Sequence, residues 1–141
     1  MQDIVRTFNE HANTLGWKFS YGNQANINLL QSDLTDDVYM LVDPTRRTKE
    51  FSEFGGSGYK VFEGSFLLVV KSNLDQVYYS DTNEGKYSKN IEPLLNVDLP
   101  KLENEINCSD YQIVSWNVID VTDIYDVNLD GLIVNYKIRV L

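Results

Sequence analysis

The run YQIVSWNVIDVT (Tyr111–Thr122), answered by LIVNYKIRVL (Leu132–Leu141), decides the fold of this 141-residue chain. In the second run Leu132, Val134, Tyr136, Ile138 and Val140 share one face, with Asn135, Lys137 and Arg139 opposite. That two-residue period belongs to a half-buried strand. The first run is apolar on both sides: Tyr111, Ile113, Ile119 and Val121 fall on one, Val114, Trp116 and Val118 on the other. Together the two runs read as a C-terminal β-hairpin. An arm with two apolar faces needs a helix over one of them. The second cover is another part of the chain or a neighbouring subunit.

Upstream of the hairpin, Leu95, Leu99, Leu102 and Ile106 step by four, three and four, the stripe of a helix. Pro100 fits the first turn of that helix if Asp98 caps it. Further back, Tyr59 to Lys71 reads as the strongest strand, with a slip at Glu63-Gly64 that predicts a bulge. Val38 to Val42 is a second compact, β-branched run, bounded by Asp37 and by Asp43-Pro44. Between them lies a long polar loop, residues 44–58, ending in Gly55-Gly56-Ser57-Gly58. At the N-terminus Ile4, Val5, Phe8, Ala12 and Leu15 build one face of a helix that Gly16 ends, and Trp17 and Phe19 begin a brief extended stretch. Residues 22–37, rich in Asn, Gln, Asp and Ser, read as a loop with at most one helical turn.

The expected architecture is one α+β domain over residues 1–141. A small antiparallel or mixed sheet carries an N-terminal helix, and a second helix precedes the closing hairpin. With 43% apolar residues the chain can fill a real core, so disorder throughout is not expected.

A net charge of −9 argues against a broad nucleic-acid-binding face, because an acidic surface repels phosphate. The acids are unevenly spread: residues 98–130 hold eight against the single base Lys101. Asp120, Asp123, Asp126 and Asp130 are the candidates for a lumen-facing or partner-facing acidic surface. Cys108 is the only cysteine, which rules out an internal disulfide. MQDIVRTFNEH lacks the apolar run of a signal peptide, and the longest apolar block, Phe66 to Val70, is too short to span a bilayer. A chain made in a cytoplasm, without membrane contact, is the expectation.

No motif specifies chemistry. Asp126, Asn128, Asp130 and Gly131 spell the opening of a calcium loop, but its twelfth position, where a bidentate glutamate belongs, is Lys137. A hairpin turn at Asp130-Gly131 is the better reading. The glycine run at 55–58 lacks phosphate-loop spacing, since Tyr59 separates it from Lys60 and a strand follows. His11 is the only histidine, so no histidine-based zinc site can form, and nothing around His11 or Cys108 supports a nucleophilic pair. No catalytic, cofactor-binding or metal-binding residue is assigned, and the chain is not expected to be an enzyme. Arg46, Arg47, Lys49, Phe51 and Phe54 combine charge with aromatic anchors in the long loop, the composition of an intersubunit contact in an otherwise acidic molecule.

Four phrases, FNEHANTLGWKFSYG (residues 8–22), DDVYMLVDP (36–44), GSFLLVV (64–70) and WNVIDVTDIYDVNLDGLIVNYKIRVL (116–141), taken in this order of elements, resemble the tail terminator and tail-completion proteins of tailed bacteriophages and their neck-ring, head–tail connector relatives. The resemblance implies a structural virion protein without catalytic residues. Such a subunit assembles into a homo-oligomeric ring in the neck or tail, joins head to tail beside other neck, tail or portal-proximal proteins, and surrounds a channel through which DNA passes without specific binding. A different reading of the same acidity is a non-enzymatic binding module, an adaptor or inhibitor that docks a basic partner.

Overall fold

The structure is a computed structural model and describes residues 3–22, 35–51, 58–73, 75–124 and 128–141. Helix α1 spans Ile4–Leu15. The Asp3 side chain accepts a bond from the Arg6 amide at its start, and Gly16, at φ 80°, ends it in the left-handed conformation. Six strands follow among the described residues: β1 (Lys18–Tyr21), β2 (Tyr39–Val42), β3 (Arg46–Thr48), β4 (Val61–Lys71), β5 (Tyr111–Ile124) and β6 (Leu129–Val140). They form one mixed sheet in the order β1-β2-β4-β6-β5, with β3 pairing β4 below β2. Only β1 and β2 run parallel; every other pairing is antiparallel. The fold is the expected α+β arrangement, with a helix first, a second helix before the hairpin and the hairpin last.

The second helical region begins earlier than the stripe suggests. Two wide turns, Tyr87–Ile91 and Leu94–Asp98, carry hydrogen bonds to the fifth residue ahead and lead into α2 (Leu99–Asn107). Each wide turn ends two residues before a proline, Pro93 or Pro100. A proline ring crowds the carbonyl four residues back. Those carbonyls, of Lys89 and Asn96, lie inside the two wide turns, where widening relieves the crowding. Pro100 does sit in the first turn of α2, but the Asp98 side chain makes no capping bond there.

Both helices pack on one face of the sheet. Ile4, Phe8 and Ala12 from α1, and Leu99, Leu102 and Ile106 from α2, meet Met40, Phe62, Phe66, Leu68, Leu132, Val134, Tyr136 and Ile138 in one core. Phe8 lies 5.5 Å from Phe66 and 5.2 Å from Tyr136, so the aromatic rings interlock tilted and edge-on. On the opposite face Tyr39, Leu41, Leu67, Val69 and Leu129 form a smaller cluster confined to one end.

Three expectations need correction. The loop at 44–58 is shorter than predicted, because Arg46, Arg47 and Thr48 pair with Glu63, Phe62 and Val61 as β3; residues 52–57, including Phe54, lie outside the described residues. Strand β4 has no bulge at Glu63-Gly64 and pairs without a break from Val61↔Arg139 to Lys71↔Leu129. The irregularities lie instead in β5, one between Val121 and Ile124 and one between Ile113 and Ser115. That inserted residue, Val114, reverses the alternation, so Tyr111, Ile113, Trp116 and Val118 all turn to the helix side. One bulge thus reconciles a sequence that looked apolar on both faces.

Gly64 is needed for the ring opposite it: a Cβ there would lie 2.9 Å from the Tyr136 hydroxyl. That hydroxyl bonds the Thr45 Oγ1 at 2.9 Å, and burial raises its pKa to about 12. Asp130 and Gly131, expected in a turn, are instead inside β6. A Cβ on Gly131 would run into the Leu68 carbonyl and come within 2.7 Å of the Val69 Cα. Two glycines in one sheet therefore predict different penalties. Gly64→Ala displaces only the end of a side chain and should cost about 1 kcal/mol, roughly one hydrogen bond. Gly131→Ala must move backbone and should cost on the order of 3 kcal/mol. Urea unfolding of the two variants measures both, and equal losses would contradict the packing account.

Candidate functional site

The most structured polar cluster in the described residues joins the end of β4, the segment before the wide helical turns and the tip of the hairpin. Lys86 is 1% exposed, and its ammonium donates to both oxygens of Asp123, at 2.7 and 2.8 Å. Ser72 and Tyr78 donate to the same carboxylate at 2.8 and 2.7 Å, and the Tyr78 ring lies 4.7 Å from the Lys86 nitrogen. Asp130, fully buried, accepts the Asp123 amide at 2.8 Å and the Asn90 side chain at 2.9 Å. Asp123 has φ 50°, in the left-handed region. That conformation costs about 1 kcal/mol for a residue with a Cβ, and the three donors on its carboxylate, together with the bond its amide gives to Asp130, offset it.

The electrostatics follow from these contacts. Hydrogen bonds from Lys86, then Tyr78, then Ser72 hold the Asp123 carboxyl at about 2. Burial on its own would lower the Lys86 pKa, but the Asp123 bond and charge outweigh it and the net shift is upward. Tyr78 is raised, mainly by its bond to Asp123. A lysine kept protonated and a tyrosine kept neutral serve neither as base nor as nucleophile at neutral pH. The cluster acts as a latch.

What it latches is a tyrosine-rich loop. The Lys86 amide bonds the Val77 carbonyl at 2.8 Å and the Tyr87 amide that of Tyr78 at 3.0 Å. Gln76 closes on the Glu84 carbonyl at 2.6 Å. Val77, Tyr78, Tyr79 and Tyr87 are left facing solvent, Tyr79 at 67% exposure.

The acids singled out from the sequence are not one surface. Asp120 is exposed on β5, whereas Asp123 is engaged by the latch and Asp130 is buried with both oxygens occupied. Neither of those two can present its charge to a lumen or partner, and Asp126 lies outside the described residues. The same contacts engage both oxygens of the Asp130 that a calcium loop would use. The basic and aromatic candidates also separate. Arg46 is 80% exposed, 3.9 Å from Glu63. Arg47 turns to the other face and pairs with Asp3 of α1 at 3.0 Å. Lys49 sits 4.8 Å from the Tyr59 ring, and Phe51 is 80% exposed.

His11 lies 3.5 Å from Glu105 across α1 and α2, and Cys108 is exposed at the end of α2. Among the described residues no group of three or more His, Cys, Asp or Glu side chains is placed to hold a metal, and no helix is long and apolar enough to cross a membrane. Nothing local marks Lys86, since a lysine after a turn glycine reads as solvated until Asp123 is brought to it across 37 residues.

Acid titration tests the latch. A carboxyl whose folded pKa is depressed adds stability that is complete above its ordinary value of 3.8 and vanishes as the pH falls towards 2. Asp123→Asn should therefore lower stability at pH 7 and flatten its fall between pH 4 and 2. Lys86→Met, which strands the carboxylate, should cost about 3 kcal/mol. An unaltered acid limb in the Asn variant would show that Asp123 contributes nothing to it. Compared with protein-family models, with curated proteins and with solved structures, the chain gives no match.

Proposed function

We propose that the protein is a non-enzymatic structural subunit that assembles into a ring, of the kind found in the neck or tail of a tailed bacteriophage, where it joins head to tail around the DNA channel. The observation that carries the reading is the edge strand β5. It spans 14 residues at one side of the sheet and, among the described residues, pairs only with β6. From Ser115 to Val121 its register is regular. Edge strands of soluble proteins are usually short or guarded by lysine or proline, because their free amides and carbonyls recruit other chains. Strand β5 contains neither residue, and it exposes Val114 and Ile119, Ile119 at 57%. Such an edge suits a protein whose neighbours complete it.

The alternative, an acidic adaptor or inhibitor that docks a basic partner, draws support from the tyrosine loop, whose exposed charges Asp75, Asp81 and Glu84 are all negative. It predicts a monomer that binds a cationic protein in a salt-sensitive way.

Light scattering over a concentration series separates the two. The ring reading expects a hexamer or larger closed species. It also expects Ile119→Lys to leave the unfolding free energy within about 0.5 kcal/mol of wild type while reducing assembly at least tenfold. Wild-type protein that stays monomeric at every concentration would favour the adaptor.

A further inference from the structure

The described surface is not evenly acidic. On the sheet face away from the helices, Arg46 of β3 and Lys137 of β6 share the single carboxylate of Glu63, at 3.9 and 3.5 Å. Arg139 belongs to the same face, and its guanidinium donates to the uncharged Gln112 at 2.6 Å. Two cations thus share one acid and a third, Arg139, lies two residues along β6 from Lys137, with Asp43 on the same face, bonded by Ser65. Sheet pairing places this basic patch at one end of β4, against Val61 and Glu63.

At the other end of β4, past Lys71, stands the latched loop. Residues 72–85 contain Asp75, Asp81 and Glu84 and no lysine or arginine. Lys86, which follows, is neutralised by Asp123. The loop therefore offers three exposed negative charges beside the exposed rings of Tyr78, Tyr79 and Tyr87, with the exposed cations Lys71 and Lys89 at its two flanks. From Glu63 to Lys71 the separation is about 26 Å along the strand, at roughly 3.3 Å per residue.

Unlike and complementary patches at opposite ends of one subunit are what a head-to-tail contact requires. We propose that the tyrosine loop of one copy docks on the basic sheet face of the next, with Asp81 and Glu84 meeting Arg46, Lys137 and Arg139. The tyrosine faces receive the guanidinium groups, a favourable pairing for exposed aromatic rings. The inference rests on the assembly reading above: the β5 edge supplies a surface to cover, and these charges give the contact its direction.

Two charge-reversed proteins test it. Arg46→Glu with Arg139→Glu makes the receiving face acidic; Asp81→Lys with Glu84→Lys makes the loop basic. All four side chains are exposed, so circular dichroism and thermal melts should match wild type. Each variant alone should fall to monomer at concentrations where wild type assembles. An equal mixture should recover assembly, because each loop then finds a face of opposite sign, and so should a chain carrying all four changes. Tyr79→Ala in the wild-type background should weaken association about tenfold. If wild type assembles and both reversed proteins assemble as well, another surface builds the oligomer; the docking proposal is then wrong while the assembly reading stands. If both reversals dissociate but the mixture stays monomeric, the two patches do not face each other, and the proposal is again wrong. Wild-type protein monomeric throughout would overturn the docking and the assembly reading together.

Discussion

Everything else in the molecule hangs on the antiparallel pairing of β4 with β6. These two strands match residue for residue from Val61↔Arg139 to Lys71↔Leu129, and their helix-side row supplies Phe62, Phe66, Leu68, Leu132, Val134, Tyr136 and Ile138 to the core. A continuous register is a strict constraint, because a slip of one residue would turn the whole row to the wrong face. The two glycines in the pair mark where the fit is tightest. Gly64 makes room for the Tyr136 ring, and Gly131 lets β6 close against the backbone of β4. With that pair fixed, β2 and β3 are positioned along one side, β5 along the other, and both helices over one face.

Much of this was legible in the residues. The alternation from Leu132 to Val140 named the helix-facing row, and the stripe at Leu99, Leu102 and Ile106 named the face of α2. Gly16 ended the first helix as its conformational freedom predicts. The misreadings have a common source: each depended on a neighbour distant in sequence. Gly64 resembles a bulge until Tyr136 is placed across from it. Val114 is an ordinary strand residue until the register with β6 forces it out. Asp130 and Gly131 are a turn pair by local chemistry, but Asn90 and the Asp123 amide draw Asp130 inwards, and the Leu68–Val69 backbone takes up the space beside Gly131. Tertiary packing outranked local preference at all three.

Charge shows the same limit. Counting acids along residues 98–130 suggested one acidic surface, yet folding distributes those in the described residues among α2 and its flanks, an exposed edge and the latch. The positive groups tell the complementary story. Lys137 and Arg139 were recognisable as the outward row of a strand, and Arg46 as a loop cation, but only the pairing of β3 and β6 on either side of β4 brings Arg46 and Lys137 together at Glu63, with Arg139 on the same face. A strongly acidic protein thereby carries a local basic face, and the sign of a surface near a contact matters more than the sign of the whole.

The latch has a kinetic consequence. Loops that fold only on meeting a partner lose ordering entropy at that moment, and their encounters are slowed by the search for a bound shape. Here the backbone bonds at Val77 and Tyr78, together with the buried Lys86–Asp123 pair, complete that search when the domain folds. The tyrosines reach any encounter already oriented, so the rate of association should be governed by diffusion and by the steering field of the exposed carboxylates.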